Sequence, residues 1–464
     1  MQKVPIINRI IKGIGAGAFG QVITILVQLI GVPILLHYWG TQLYGEWLIL
    51  SAIPAYLSMV DLGFTQSAAN DMTSRVARGD RNGSLTIFQS LSALVYAIIL
   101  AGSFISALLL AFFPIERLHI TTVTNNDVRW ILWLLALSVL FQLADGVCHA
   151  GFRSHGEYAF HKFFSSLTIF LQQVALWISA IFGYGPVLAA LLMFLIRVIS
   201  VISLTFILFT RHKSVQPGIK FVDFNVLSSL ITPALANVAL PLAQGINIQG
   251  MVLVVGALLG PIAVVIFSTL RTLSRFALQM VLTISYAFEP ELAAALGKDD
   301  KKELKRLFFI NQRLGFSMAF GTLLSLFFLG SWIINLWTHG NVTMNTTLFN
   351  WLLLSAFASV IWYGGFNLLK SGNFHIKLAL WYVFVSLIAI VFAFILAKVT
   401  NQLSNIGLSL VVMDSLMVVY VYKSVAHFLN SSYSEMIRES FNLKLLIHNF
   451  SIFLRRTTHP QYFR

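Results

Sequence analysis

Apolar runs of about twenty residues recur along the whole chain, each closed by a short polar or basic segment. An α-helix needs about 20 apolar residues to cross the hydrocarbon of a bilayer. Windows of that length fall near 15–37, 44–64, 85–113, 130–150, 162–183, 186–209, 228–256, 260–290, 307–332, 348–368, 378–398 and 406–426. The pattern predicts an all-α integral membrane protein with about twelve transmembrane helices. The narrowest division, between the seventh and eighth windows, rests on the turn signal of Gly256, Gly260 and Pro261.

Composition agrees with this solvent. Hydrophobic residues make up 58% of the 464 and charged residues 10%, whereas a soluble domain carries about 25% charged residues. The basic N-terminal segment, interrupted by Pro5, has no small-residue cleavage site after a short apolar core, so the first run is expected to remain as a span. Cys148 is the only cysteine and predicts a small buried apolar side chain.

Charge sets the orientation. Of the lysines and arginines, 25 fall in segments on one side and 3 (Arg117, Arg129, Lys398) on the other, with 3 more inside spans. That bias places both termini in the cytoplasm of a multi-pass membrane protein. It also accounts for most of the net charge of +14 without any nucleic-acid partner, and it favours anionic lipid. The opposite-side loops, the longest near 115–128, are too short for a catalytic domain, so an enzyme is not expected. The tail from 427 to 464 mixes basic residues with Phe441, Leu445, Phe450 and Phe453. It reads either as an amphipathic segment on the inner surface or as a tail without a role.

The chain also reads as a repeat. A span begins after Gly40 and another after Gly260, 220 residues on. The charged turns GDRNGSLTIF and GKDDKKELKRLF follow, with glycines at 79 and 297, an offset of 218. The expected division is an N-terminal lobe over 1–209, a cytoplasmic linker over 210–227, a C-terminal lobe over 228–426 and the basic tail. Six spans per half would relate the lobes by a pseudo-twofold along the membrane normal, and transporters of that plan bind substrate between the halves.

Candidate chemistry lies in the apolar windows. Arg271 and Arg275 are four apart and so share a helix face, which Gln279 continues. Arg197 sits near the centre of the sixth window. Each arginine costs roughly 2.5–3.5 kcal/mol at the bilayer centre. The three together cost on the order of 8–10 kcal/mol by that scale, comparable with the stability of a whole domain. They must face acids or a watery cavity. Asp61, Asp145 and Asp414 are the candidate counter-ions or coupling groups, and only Asp414 falls well inside its window. A positive surplus suits an anionic ligand, and the arginine fork suits phosphate. Asp414 reads equally as an arginine's partner or as a group carrying a coupling proton or sodium ion. The seventh window holds Pro233, Pro241, Asn237, Gln244, Asn247 and Gln249. Its prolines predict a broken helix lining a cavity, and its amides suit sugar hydroxyls or bonds between helices. Gly15–Gly20 fits G-x-G-x-x-G but lacks the strand a nucleotide site needs, so close helix packing is the expectation. No cofactor or metal motif is present.

The stretch from 44 to 72, with Gly40, Tyr44, Gly45, Asp61, Leu62, Gly63, Phe64 and Asn70, resembles the start of Wzx-type polysaccharide flippases. The span carrying Arg271 and Arg275 resembles the eighth of that family, and the likeness extends over nearly the whole chain. These flippases belong to the multidrug/oligosaccharidyl-lipid/polysaccharide exporter superfamily. The resemblance implies transfer of an undecaprenyl pyrophosphate-linked oligosaccharide across the inner membrane for O-antigen, lipopolysaccharide or capsule. It implies partners in the polymerase and chain-length machinery of such a pathway. Multidrug and other lipid exporters share the architecture, and export of a cationic drug is the alternative. A glycan polymerase is the reading from another class, and it would need a large outer loop.

Overall fold

The computed structural model describes residues 6–56, 62–118, 120–297, 300–371 and 375–441. Among these residues there are helices and turns and no strand. The α-helices are α1 (Ile6–Ala55), α2 (Leu62–Ala77), α3 (Arg81–Phe112), α4 (Asn125–Ser154), α5 (Tyr158–Ile181), α6 (Pro186–Arg211) and α7 (Phe224–Gly245). They continue with α8 (Met251–Gly297), α9 (Lys301–Thr338), α10 (Thr346–Ser371), α11 (His375–Thr400), α12 (Leu403–Leu429) and α13 (Tyr433–Ser440). A 3₁₀ turn, Ile115–Leu118, interrupts the loop between α3 and α4.

Ten described helical segments are long and apolar enough to cross a membrane, among them Gly15–Ala55 and Val238–Leu282. Those two are double. The first breaks at Gly40 (φ 70°, ψ 172°) and the second at Gly260 (φ 84°, ψ 175°). This backbone region is essentially closed to residues with a side chain. Counting each as two spans restores the twelve read from the hydropathy pattern, and the chain is a multi-pass membrane protein.

The same two glycines display the repeat in backbone geometry. A second pair of positions does so at the turns. Asp80 accepts a hydrogen bond from the Gly83 amide at 2.8 Å ahead of α3, and Asp300 accepts one from the Glu303 amide at 3.0 Å ahead of α9. Both caps hold the third residue on and satisfy an amide the helix leaves free. Asp80 and Asp300 are 220 apart, like Gly40 and Gly260, so the turns align by their caps and not by the glycines at 79 and 297.

The chain folds into two compact units, residues 1–265 with 337–342, and residues 266–336 with 343–464. The boundary between these units falls inside α8. Within the first unit α7 packs along α2. A Cβ on Gly63 would come within 2.2 Å of the Ala234 carbonyl oxygen, so the two backbones nearly touch.

In the first unit α4 lies at the centre, flanked by α1, α2, α3, α5 and α6. Met72, Ile87, Leu91, Phe152, Leu204 and Leu208 form its fully buried core. From the glycine-rich start of α1, Gly20 faces Ser166 of α5 closely enough to exclude a Cβ, while Gly15 and Gly17 face open space. Helix packing therefore uses one glycine of that motif. Trp337, at the end of α9, closes the unit by donating its indole N–H to the Leu29 carbonyl at 2.7 Å.

In the second unit α10 and α12 pack most closely, with Gly365 against Val421. The part of the tail that is described folds back on α9. Arg313 donates to the Glu439 carbonyl and carboxylate at 2.7 Å each, Lys305 meets Glu435 at 2.6 Å, and Phe441 stacks on Phe316 with ring centroids 4.5 Å apart. The tail beyond 441, with Leu445, Phe450 and Phe453, lies outside the described residues.

Candidate functional site

Two buried polar clusters stand out, one in each unit. In the second unit, α8 presents Arg271, Arg275 and Gln279 at successive turns of one face. Arg271 is 7% exposed, and its guanidinium lies 5.5 Å from the centroid of the Phe267 ring. The charges of Arg275 and Asp414 both act on it, together with Tyr382 of α11. Arg275 in turn acts on Asp414.

Asp414 of α12 is buried, and its close partners are neutral. Oδ2 accepts from the Ser355 hydroxyl at 2.5 Å, and Oδ1 accepts from the Ser359 hydroxyl at 2.8 Å and the Trp362 indole N–H at 3.0 Å. The donors sit at i, i+4 and i+7 of α10 and so share a face. Trp362 is held in turn by Tyr363 and Tyr382, with ring centroids at 4.3 and 5.2 Å. Asp414 is thus fixed by uncharged groups and reached by the arginines through space. Among the described side chains of this unit, Asp414 is the one buried carboxylate, while Arg271 is buried and Arg275 half-buried.

The first unit holds Arg197 and Asp145 in another network. Arg197 is buried and donates from Nη2 to the Gln172 side-chain oxygen at 2.9 Å. Gln172 itself donates to Ser138 at 3.2 Å and to the Met193 carbonyl at 2.8 Å. Asp145 lies 3.4 Å from Nε2 of His161, and Arg197 acts on it electrostatically. His161 contacts His149 at 3.2 Å between their Nδ1 atoms. Asp145 is thus a buried acid of the first unit, set against Arg197. The fourth window stops at 150, whereas α4 runs to Ser154.

The remaining candidates divide. Asn247 is buried in a π-helical turn, Ile246–Gly250, that joins α7 to α8, and Gln244 is half-buried just before it. The helix passes Pro241 without breaking, and the wider π turn five residues on takes up the distortion. Asp61 and the side chains of Pro233 and Asn237 lie outside the described residues.

Glu46, an acid available at a span end, is a buried carboxylate. It accepts from the Thr121 amide at 2.9 Å, the Thr122 amide at 3.1 Å and Gln42 at 3.1 Å, and also from the Thr122 hydroxyl. It pins the loop between α3 and α4 to the second half of α1. The one signal for it is an acid at the start of an apolar window.

No protein-family model and no curated protein matches the sequence. Solved structures do match. An inward-facing multidrug resistance MATE family transporter of the MOP superfamily superposes with a TM-score of 0.72 at 13% identity, over 88% of this chain and 94% of that one. An outward-facing structure of such a transporter gives 0.61 at 15%, over 91% and 95%. A MOP superfamily transporter from Pyrococcus furiosus, described as having a binding pocket of reverse polarity that suggests a different function, gives 0.62 at 13%, over 91% and 95%. The chain has the all-α, two-lobed fold of the MATE transporters of the MOP superfamily, in twelve transmembrane spans.

Proposed function

We propose that this chain is a carrier that exports a large amphipathic anion by alternating access, the cargo being an oligosaccharide linked to a polyprenyl pyrophosphate. The observation that carries the reading is that Arg271 and Arg275 share a face of α8 near Asp414, the one carboxylate buried in the second unit among the described residues. A cationic drug would be repelled there, whereas a pyrophosphate gains two forked donors. The fold supports export, since its neighbours include inward-facing and outward-facing transporters. Gln244 and Asn247 are proposed to meet the sugars, with Arg197 as a further contact to the anion. In this reading the protein lies in the bacterial inner membrane with both termini in the cytoplasm, and a polymerase and chain-length machinery consume its product.

Multidrug export is the second reading, and the fold neighbours favour it at least as well, because two are described as multidrug resistance transporters. One experiment separates the two. The full chain is reconstituted in liposomes, and outward transfer of a lipid-linked oligosaccharide is followed beside that of a cationic dye. The flippase reading expects oligosaccharide transfer that Arg271→Ala with Arg275→Ala abolishes at unchanged protein level. Dye transport that survives the double variant, without oligosaccharide transfer, would establish the drug exporter instead.

A further inference from the structure

A pocket of about 460 Å³ opens into the first unit between α3, α4, α6 and the segment joining α6 to α7. Its size is that of a small-ligand site. Phe88, Leu100, Val147 and Leu208 give it apolar walls, and its polar atoms are confined to neutral groups such as Ser92, Tyr96 and Thr205. No charged side chain lines it, so it suits hydrocarbon and not an ion or a sugar. Leu100 and Ile219, which line it, are 73% and 82% exposed, so the pocket opens along them toward the surroundings of the helix bundle.

The rim has a different chemistry. The segment 212–223 is strapped to α3 by Gln89, which donates to the Gln216 carbonyl at 3.2 Å and accepts from the Phe221 amide at 2.9 Å. Ser90 adds a bond from the Asp223 amide at 2.9 Å. The strap thereby holds Pro217, Gly218 and Ile219 over the pocket. Lys213 and Lys220 on the same segment are exposed and have no ion-pair partner among the described residues, while neighbouring Arg211 is paired with Glu157 at 3.1 Å. Phe224, at the start of α7, is 80% exposed. Lysines without an ion pair, Lys220 lying over the Phe221 ring at 5.5 Å, beside exposed Ile219 and Phe224 have the composition of a membrane-interface segment that attracts anionic headgroups.

We infer that this pocket is a binding site for an anionic phospholipid, with one acyl chain between α3, α4 and α6 and the phosphate at Lys213 and Lys220. Burial of the chain's methylene groups supplies the affinity. The two lysines supply the preference for negative charge. The site belongs to the first unit alone and does not depend on what the carrier exports.

Cys148 lines this pocket and is the only cysteine in the chain, so the natural protein carries its own reporter. The full chain is placed in nanodiscs of phosphatidylcholine or of phosphatidylglycerol, and the rate of Cys148 modification by hexyl methanethiosulfonate is read by intact mass. Phosphatidylglycerol is expected to slow the reaction about tenfold relative to phosphatidylcholine. Lys213→Glu with Lys220→Glu, both exposed and remote from the core, is expected to erase that difference. Equal rates in the two lipids would overturn the assignment, as would a Cys148 that reacts in neither, or protection that survives the lysine variant. Protection by a polyprenyl phosphate added to phosphatidylcholine discs, without protection by phosphatidylglycerol, would reassign the pocket to the cargo's tail.

Discussion

Asp414 is held by three neutral donors, its two oxygens accepting from Ser355, Ser359 and Trp362, while the charge of Arg275 acts on it from outside that set. Removing the indole donor with Trp362→Phe keeps the ring and leaves Oδ1 one bond short. A bond to a charged group of this kind is worth roughly 1.5–3 kcal/mol, and the loss should appear as a lower melting temperature in detergent. Asp414→Asn tests the coupling role. If the carboxylate carries a proton or sodium ion, export should lose its dependence on that ion's gradient while the arginines still bind cargo. Export by the variant that follows the gradient as before would leave Asp414 a structural role. Arg271 and Arg275 were legible because an i, i+4 spacing needs nothing but helical geometry. The burial of Asp145 was not legible, because its partners His161 and Arg197 lie on other helices. The serine ladder opposite Asp414 is readable in S-A-F-A-S-V-I-W only when one already knows that α10 faces α12.

At the level of elements, the two glycine breaks are the clearest agreement between sequence and backbone. A Cβ at Gly40 or Gly260 would meet nothing within 4 Å, so the cost of alanine there is backbone strain alone, on the order of 1–3 kcal/mol at each site. Gly40→Ala and Gly260→Ala should therefore lower the melting temperature by similar amounts. Unequal effects would separate the two halves functionally. The π turn at Ile246–Gly250 could not be read from sequence, because two prolines and several amides signal distortion without saying where it settles. The docking of α13 carries a pH dependence of known sign. Lys305 beside it holds the Glu435 carboxyl below its ordinary value. A lowered folded value means the contact contributes fully above about pH 4.3, the unfolded value, and fades as the pH falls toward the lowered one. Amide exchange over residues 433–440 should stay protected from neutral pH to about pH 5, and protection should fall below about pH 4 once the intrinsic rate is corrected for.

For the whole molecule, the charge bias makes an orientation testable without any cargo. Asn126 lies exposed at the start of α4, and Lys302 lies exposed at the start of α9. On a Cys148→Ala background, Asn126→Cys should react with an impermeant reagent added outside intact cells, and Lys302→Cys should react only after lysis. The twelve spans were readable because lipid leaves a strong signature in composition. The way they pack into two units was not, since the close approach of Gly63 to Ala234 involves residues far apart in sequence with no pattern linking them. The bond from Trp337 to Leu29 has a consequence for biogenesis. Residues 1–265 emerge from the ribosome as a nearly complete unit, yet the last piece, 337–342, is encoded 72 residues later. At about 5–20 residues per second, the first unit waits about 4–14 s without the Trp337 bond to Leu29, and during that interval α1 is held by its packing on α5 and α4.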